Sequence, residues 1–151
     1  MGDMSNEFIN MTATEAVARL RSKEVSPLDL VEASIQRIEA VDTKVNALPI
    51  HCFEQARAQA KSLDYIVHAE NSKSLFGLPI AVKDYNDLGG ALTTYGSPIF
   101  ANNMVKQSDA TVRQLESNGA IAVAKSNVPE WAGGHTFNPV NGTTRNPWDL
   151  R

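Results

Sequence analysis

The apolar positions repeat with a helical period in several places along the chain. Ala16, Val17 and Leu20 fall on one side of a short helix that Thr12 or Thr14 caps and that ends near Lys23. A second helix restarts at Ser26-Pro27-Leu28-Asp29. Ser26 suits the N-cap, Pro27 the first helical position, and Asp29 places negative charge in the first turn. Leu28, Val31, Ile35 and Ile38 then form an apolar stripe, with Glu32, Gln36 and Glu39 on the wetter side. Asn46 to Ile50 is a short apolar segment interrupted by Pro49. The alanine-rich run from Phe53 to Ala69 favours helix, and Asn71 to Ser74 is polar punctuation.

The pattern changes at Leu75. The run to Val82 is continuously apolar and contains Gly77 and Pro79, which predicts a buried strand with an irregular entry. Asp84 to Gly90 reads as a loop, and Leu92-Thr93-Thr94-Tyr95 has strand composition ended by Gly96-Ser97-Pro98. Ser108 or Asp109 caps a helix through Val112 and Leu115 that Gly119 terminates. Ala120 to Ala124 follows as a buried strand ending at Lys125, a helix-to-strand unit of an α/β sheet. Ser126 or Asn127 is expected to cap another short helix with Pro129 and Glu130 in its first turn. Gly133 to Arg151 is glycine, asparagine and proline punctuation, read as one loop of about twenty residues, a length that compact domains seldom carry without function. No repeat, low-complexity tract or linker divides the chain, so residues 1–151 are expected to form a single unit.

Composition narrows the function classes. The 151 residues carry a net charge of -3 with no run of Lys or Arg, which argues against nucleic acid or an anionic membrane as the main partner. No apolar stretch reaches the roughly eighteen residues a membrane helix needs, and Met1 to Met11 lacks the basic start and apolar core of an export signal. A cytoplasmic location is the expectation. Cys52 is the only cysteine and is read as a buried thiol. His51, His68 and His135 are far apart with no paired cysteines, so no metal or cofactor site is expected.

The sequence also lacks a Gly-x-Ser-x-Gly elbow and a glycine-rich phosphate loop. The informative stretch is Gly77-Leu78-Pro79-Ile80-Ala81-Val82-Lys83-Asp84, an apolar strand that delivers one lysine at its C-terminal end. Active groups of α/β sheets collect at such ends.

In chain order, several segments resemble the amidase-signature family. They are Ser26 to Val31 with Arg37-Ile38, Val45-Asn46-Ala47, Gly77 to Asp84, Thr94-Tyr95-Gly96-Ser97, and Asp109-Ala110-Thr111-Val112. Gly119-Ala120, Lys125-Ser126-Asn127-Val128-Pro129-Glu130 and Arg145-Asn146-Pro147-Trp148-Asp149 complete the series. The resemblance implies part of an α/β fold, with a mixed central sheet flanked by helices, belonging to a longer chain that cleaves small carboxylic amides through an acyl-enzyme. It implies a triad of a lysine, a serine in a cis peptide and a nucleophilic serine.

By that resemblance Lys83 is the catalytic lysine, and Gly133, Gly134 and His135 lie where the family places part of its acyl pocket. His135 is given no catalytic role. The segment bearing the two serines normally begins soon after the Arg-Asn-Pro-Trp-Asp motif, and the sequence stops at Arg151. Ser97, Ser108, Ser117 and Ser126 sit in no matching motif and are read as loop, capping or helix-surface serines. The 151 residues are therefore expected to be inactive alone, whether Arg151 is a natural end or an early stop.

The chemistry needs Lys83 neutral, since an ammonium cannot take a proton from the serines. Burial against Ile80, Val82 and the missing sheet is the expected source of neutrality; without that cover Lys83 is expected to be wetter and charged. Val82, Ile80, Ile121 and Val123 are expected to leave an apolar face and open strand edges, inviting self-association or complementation by a C-terminal part. Two alternatives remain beside the amidase reading. One is a fragment like the A subunits of amidotransferases, working in a complex; the other is a non-catalytic binding or structural remnant.

Overall fold

The computed structural model describes residues 7–65 and 73–151. The expected helical run at 66–69, the punctuation at Asn71 and Ser72, and His68 lie outside them. Helix α1, Ala13–Ser22, is closed by a reciprocal capping box. Thr12 Oγ1 accepts from the Glu15 amide at 3.2 Å while Glu15 accepts from the Thr12 amide at 2.8 Å. Lys23 ends it in the left-handed region at φ 62°. Helix α2, Pro27–Val45, repeats the device with Ser26 and Asp29. Its buried stripe is Leu30, Val31, Ala33, Ile35 and Ile38, so Leu30 and Ala33 take the inward positions and Leu28 is only half-buried.

Strand β1, Ile50–His51, leads directly into helix α3, Phe53–Tyr65. Arg57 of α3 grips Glu32 of α2 through two parallel bonds of 2.7 and 3.0 Å. Strand β2, Pro79–Lys83, runs through a long loop and helix α4, Ala110–Ser117, into strand β3, Ile121–Ser126. β3 is the middle strand: β2 pairs with it in parallel and β1 antiparallel, a mixed three-stranded sheet.

Two apolar clusters flank this sheet. α1, α2 and α3 pack Leu20, Leu30, Val31, Ile35, Ile38, Ala56 and Ala60 against Ile121, Val123 and Ala124. On the other face Cys52, Val82, Leu88, Ala91, Val112 and Ala122 form the second. Cys52 is buried as expected, and burial pushes its thiol pKa up.

The structure corrects several expectations. The apolar run before Lys83 is not a strand from Leu75. Residues 74–77 turn, with Gly77 at φ +70° and its α-carbon pressed so closely on Pro27 that a Cβ would lie 2.9 Å from that ring, so the strand starts at Pro79. It is also an edge strand, with only Val82 buried, whereas β3 is covered on both faces. Among the described residues β3 is thus the covered centre of the sheet, with β1 and β2 as its edges.

Leu92 to Tyr95 forms no strand beyond a single bridge from Leu92 to Met104, because Thr93 and Thr94 spend their polar groups inward. The expected helix at Asn127 is a single 3-10 turn, Glu130–Ala132, since Asn127 bonds Val128, Asn138, Asn46 and Gly142 instead. The supposed loop after Gly133 contains a hairpin of β4, Phe137–Asn138, and β5, Gly142–Thr143. Buried Asn138 and the end of α2 hold it. Asn46 Nδ2 donates to the Asn141 carbonyl at 2.7 Å, and the Arg145 amide donates to the Val45 carbonyl at 2.8 Å.

Candidate active site

Lys83 is the last residue of β2, opposite Ser126 of β3. Alternation along the strand points it the same way as exposed Ala81 and opposite to buried Val82, so its side chain runs into solvent. The expected wetter lysine is what the geometry displays. Its neighbour Asp84 turns inward and is fully buried.

Five bonds fix Asp84. Its amide donates to the Ser126 carbonyl at 2.9 Å, and its own carbonyl accepts from the Tyr95 amide at 3.1 Å. Its carboxylate accepts from the Thr94 amide at 3.1 Å, from the Thr94 hydroxyl in a very short bond, and from Lys125 at 3.1 Å.

Lys125 was expected only to end a strand, yet it is the largest fully buried side chain of the described residues. The parallel register sets it beside Val82, and both point beneath the loop that follows Lys83. The ammonium has three donors and uses each of them: on Asp84, on the Asn86 carbonyl at 2.7 Å, and on Thr93 Oγ1 at 2.5 Å. Desolvation drives its pKa down and the Asp84 charge opposes that shift. The sequence signal was available in part, because an apolar strand ending in Lys occurs twice, at Val82-Lys83 and at Ala124-Lys125. Periodicity alone could not tell which lysine turns inward.

An aromatic group lies over the same end of the sheet. Tyr95 stacks on Trp131 with ring centres 5.4 Å apart, and Phe100 meets both edge-on at 5.1 and 5.4 Å. Tyr85 approaches Tyr95 edge-on at 6.3 Å. The Tyr95 hydroxyl donates to Asp87 at 2.5 Å, which raises its pKa to about 12. Tyr95, Trp131 and Ala132 all have positive φ, at 51°, 51° and 61°, a strained run of backbone that the Trp131 amide to Tyr95 carbonyl bond of 2.9 Å holds.

Gly133, Gly134 and His135 follow this run and are exposed. A side chain on Gly134 would meet nothing within 4 Å. The His135 ring accepts from the Phe137 amide at 3.2 Å, a local turn contact. Among the described residues no hydrogen bond joins these three to Lys83. Ser97, read as a loop serine, is fully buried, and its hydroxyl has no partner among the described residues. Ser108 accepts from the Gly89 amide at 2.9 Å, and Ser117 donates to the Gln114 carbonyl on the helix surface. Among the described residues no helix is long and apolar enough to cross a membrane.

A family model described as Amidase matches residues 29–151. The chain is 42% identical over 141 residues to the A subunit of glutamyl-tRNA(Gln) amidotransferase from Geobacillus thermodenitrificans (strain NG80-2), covering 92% of this chain and 29% of that protein. Among solved structures, a bacterial aryl acylamidase of the amidase signature family superposes with a TM-score of 0.85 at 26% identity, over 93% of this chain and 30% of that one. Fatty acid amide hydrolase shares the fold with a TM-score of 0.91 at 21% identity, over 99% of this chain and 27% of that one. The chain thus spans close to 30% of the length of the relatives it matches. It belongs to the amidase family, and carries that family's fold in part.

Proposed function

We propose that these residues form one unit of an amide-cleaving hydrolase, the unit that carries the general base of a Ser-cisSer-Lys triad. The observation that carries this reading is the placement of Lys83 at the C-terminal end of a sheet strand, exposed on the side that Asp84 does not occupy. Lys83 is the proton acceptor, working on serines that these residues do not supply. The substrate is a small-molecule carboxylic amide, attacked to give an acyl-enzyme. Gly133, Gly134 and His135 flank its acyl side, where the absence of side chains on the two glycines leaves room for close approach to the backbone. The unit works in the cytoplasm and makes no contact with nucleic acid itself. Its open strand edge is completed by a second copy or by a C-terminal part.

A second reading has its own support in the names of the relatives, which are A subunits of an amidotransferase. In it the same lysine serves amide hydrolysis inside a complex. The two readings share their test of Lys83. In a chain extended to carry the two serines, Lys83→Arg abolishes turnover as fully as Lys83→Ala, because a guanidinium stays protonated at working pH. Near-normal turnover of the arginine variant excludes the role. Preference for glutamine over simple aliphatic or aromatic amides in that assay separates the amidotransferase reading from the amidase one.

A further inference from the structure

We propose that the free edge of β2 pairs with the β2 of a second copy of this chain, antiparallel about a two-fold axis at Ala81. This deepens the reading of an edge that another strand completes, and it does not depend on Lys83 acting as a base. The Leu78 carbonyl accepts from the Ile121 amide and the Asp84 amide donates to the Ser126 carbonyl, each at 2.9 Å. Main-chain direction alternates along a strand, so Leu78, Ile80, Val82 and Asp84 address β3 while Pro79, Ala81 and Lys83 address the outside. The register shift between Ile80 and Ala81 leaves this alternation intact, because the extra residue is Val123 of β3, whose carbonyl serves Cys52. Two of the outward groups need no partner. Pro79 has no N–H, and the Lys83 carbonyl already accepts from the Asn86 amide at 2.9 Å. What is left unpaired among the described residues is the Pro79 carbonyl, both groups of Ala81 and the Lys83 amide.

That set is self-complementary. With Ala81 opposite the Ala81 of the second copy, the two residues exchange both of their bonds, as a hydrogen-bonded antiparallel pair does. Each Lys83 amide then meets the Pro79 carbonyl across from it, and each Lys83 carbonyl, already satisfied, faces the nitrogen that has nothing to donate. An unrelated strand would leave a carbonyl unpaired opposite Pro79 and an N–H unpaired opposite Lys83, a cost that this chain's own β2 avoids. Sliding the partner by two residues either strands an Ala81 carbonyl against Pro79 or sets an Ala81 amide against the occupied Lys83 carbonyl. The side chains fit the same pairing. Ala81 is exposed and lines an apolar groove with Phe8, Met11, Leu30, Ile38 and Leu48. A two-fold axis normal to the sheet lays the two grooves side by side, so each copy covers apolar surface of the other. The two Lys83 residues fall at opposite ends of the pairing, about 14 Å apart along the strands, beyond the screening length of about 8 Å at physiological salt. The axis closes the contact on itself, so this edge yields a dimer.

Sedimentation equilibrium and oxidative cross-linking test this on the 151-residue chain, whose one cysteine, Cys52, is buried. The parent is expected to exchange between monomer and dimer. In the Ala81→Cys variant the two facing α-carbons lie about 5.5 Å apart, within disulfide reach. At the concentration where the parent is dimeric, mild oxidation is expected to join two Ala81→Cys chains at least about tenfold faster than two chains of Ile99→Cys, an exposed control away from the edge. Lys83→Cys, two residues from the axis, is expected to stay at the control rate, which separates this register from one centred further along the strand. A parent that sediments only as monomer, Ala81→Cys at the control rate, or Lys83→Cys joining faster than Ala81→Cys overturns the proposal. So does an Ala81→Cys chain extended past Arg151 that neither cross-links nor reacts with a maleimide, which would assign the edge to a C-terminal part instead. None of these readouts involves hydrolysis, so a failure of Lys83 as general base would appear in turnover alone.

Discussion

The Lys125 ammonium lies 3.1 Å from the Asp84 carboxylate at a point where neither side chain touches solvent. Breaking such a pair from one side is costly, since the remaining charge is left in a dry site. Lys125→Ala is expected to destabilise the fold by about 3–5 kcal/mol. Replacing both members with apolar residues of similar volume, Lys125→Met with Asp84→Leu, costs much less. Urea unfolding of the two variants checks the difference; equal losses would mean that packing, not charge, dominates there.

Tyr95 supplies a pH dependence. Its hydroxyl donates to Asp87, so the fold favours the neutral phenol and its pKa rises to about 12. An acid whose folded value exceeds its unfolded value binds its proton more tightly in the native state. The stabilisation is fully present below the unfolded value, about pH 10, and is lost as pH climbs from there through about 12. Tyrosinate absorbance near 295 nm should show a late-titrating component, and Tyr95→Phe should remove it. If the late component persists in the phenylalanine variant, the Asp87 bond is not its source.

Strand β2 is an edge strand with Ala81 exposed, beside a groove lined by Phe8, Met11, Leu30, Ile38, Leu48 and Leu78. An unpaired edge beside apolar surface promotes association. Light scattering is expected to show concentration-dependent dimers or larger species, and Ala81→Lys, which places a charge on the free edge, to shift them towards monomer. A parent chain that stays monomeric at high concentration contradicts this.

The helices were legible because their signals are local. Ser26 caps its helix as the pattern assigned, and of the paired candidates Thr12 rather than Thr14 and Asp109 rather than Ser108 do so. The sheet was legible in kind but not in extent. Gly77 and Pro79 hid a turn inside an apolar run, and nothing in the run distinguishes an edge strand from a central one. The hairpin at Phe137–Thr143 was missed because its strands are two residues long, too short for a period, and its anchors on Asn46 and Val45 are more than ninety residues away. At the site, Lys83 could be singled out by its motif. Lys125 could not, since the direction in which a strand-end lysine points depends on register with the neighbouring strand and on Asn86 and Thr93 arriving from a distant loop.

The chemical role proposed for Lys83 needs partners these residues do not contain, and amide hydrolysis by the purified 151-residue chain tests that most directly. Ammonia release from glutamine and from simple aliphatic and aromatic amides is measured for the parent and for Lys83→Ala. The expected result is background release, identical in the two, because one member of a three-part triad gives at most residual catalysis. Hydrolysis above background that disappears on Lys83→Ala would contradict the account, for it would mean that a nucleophile already present among these residues completes the site.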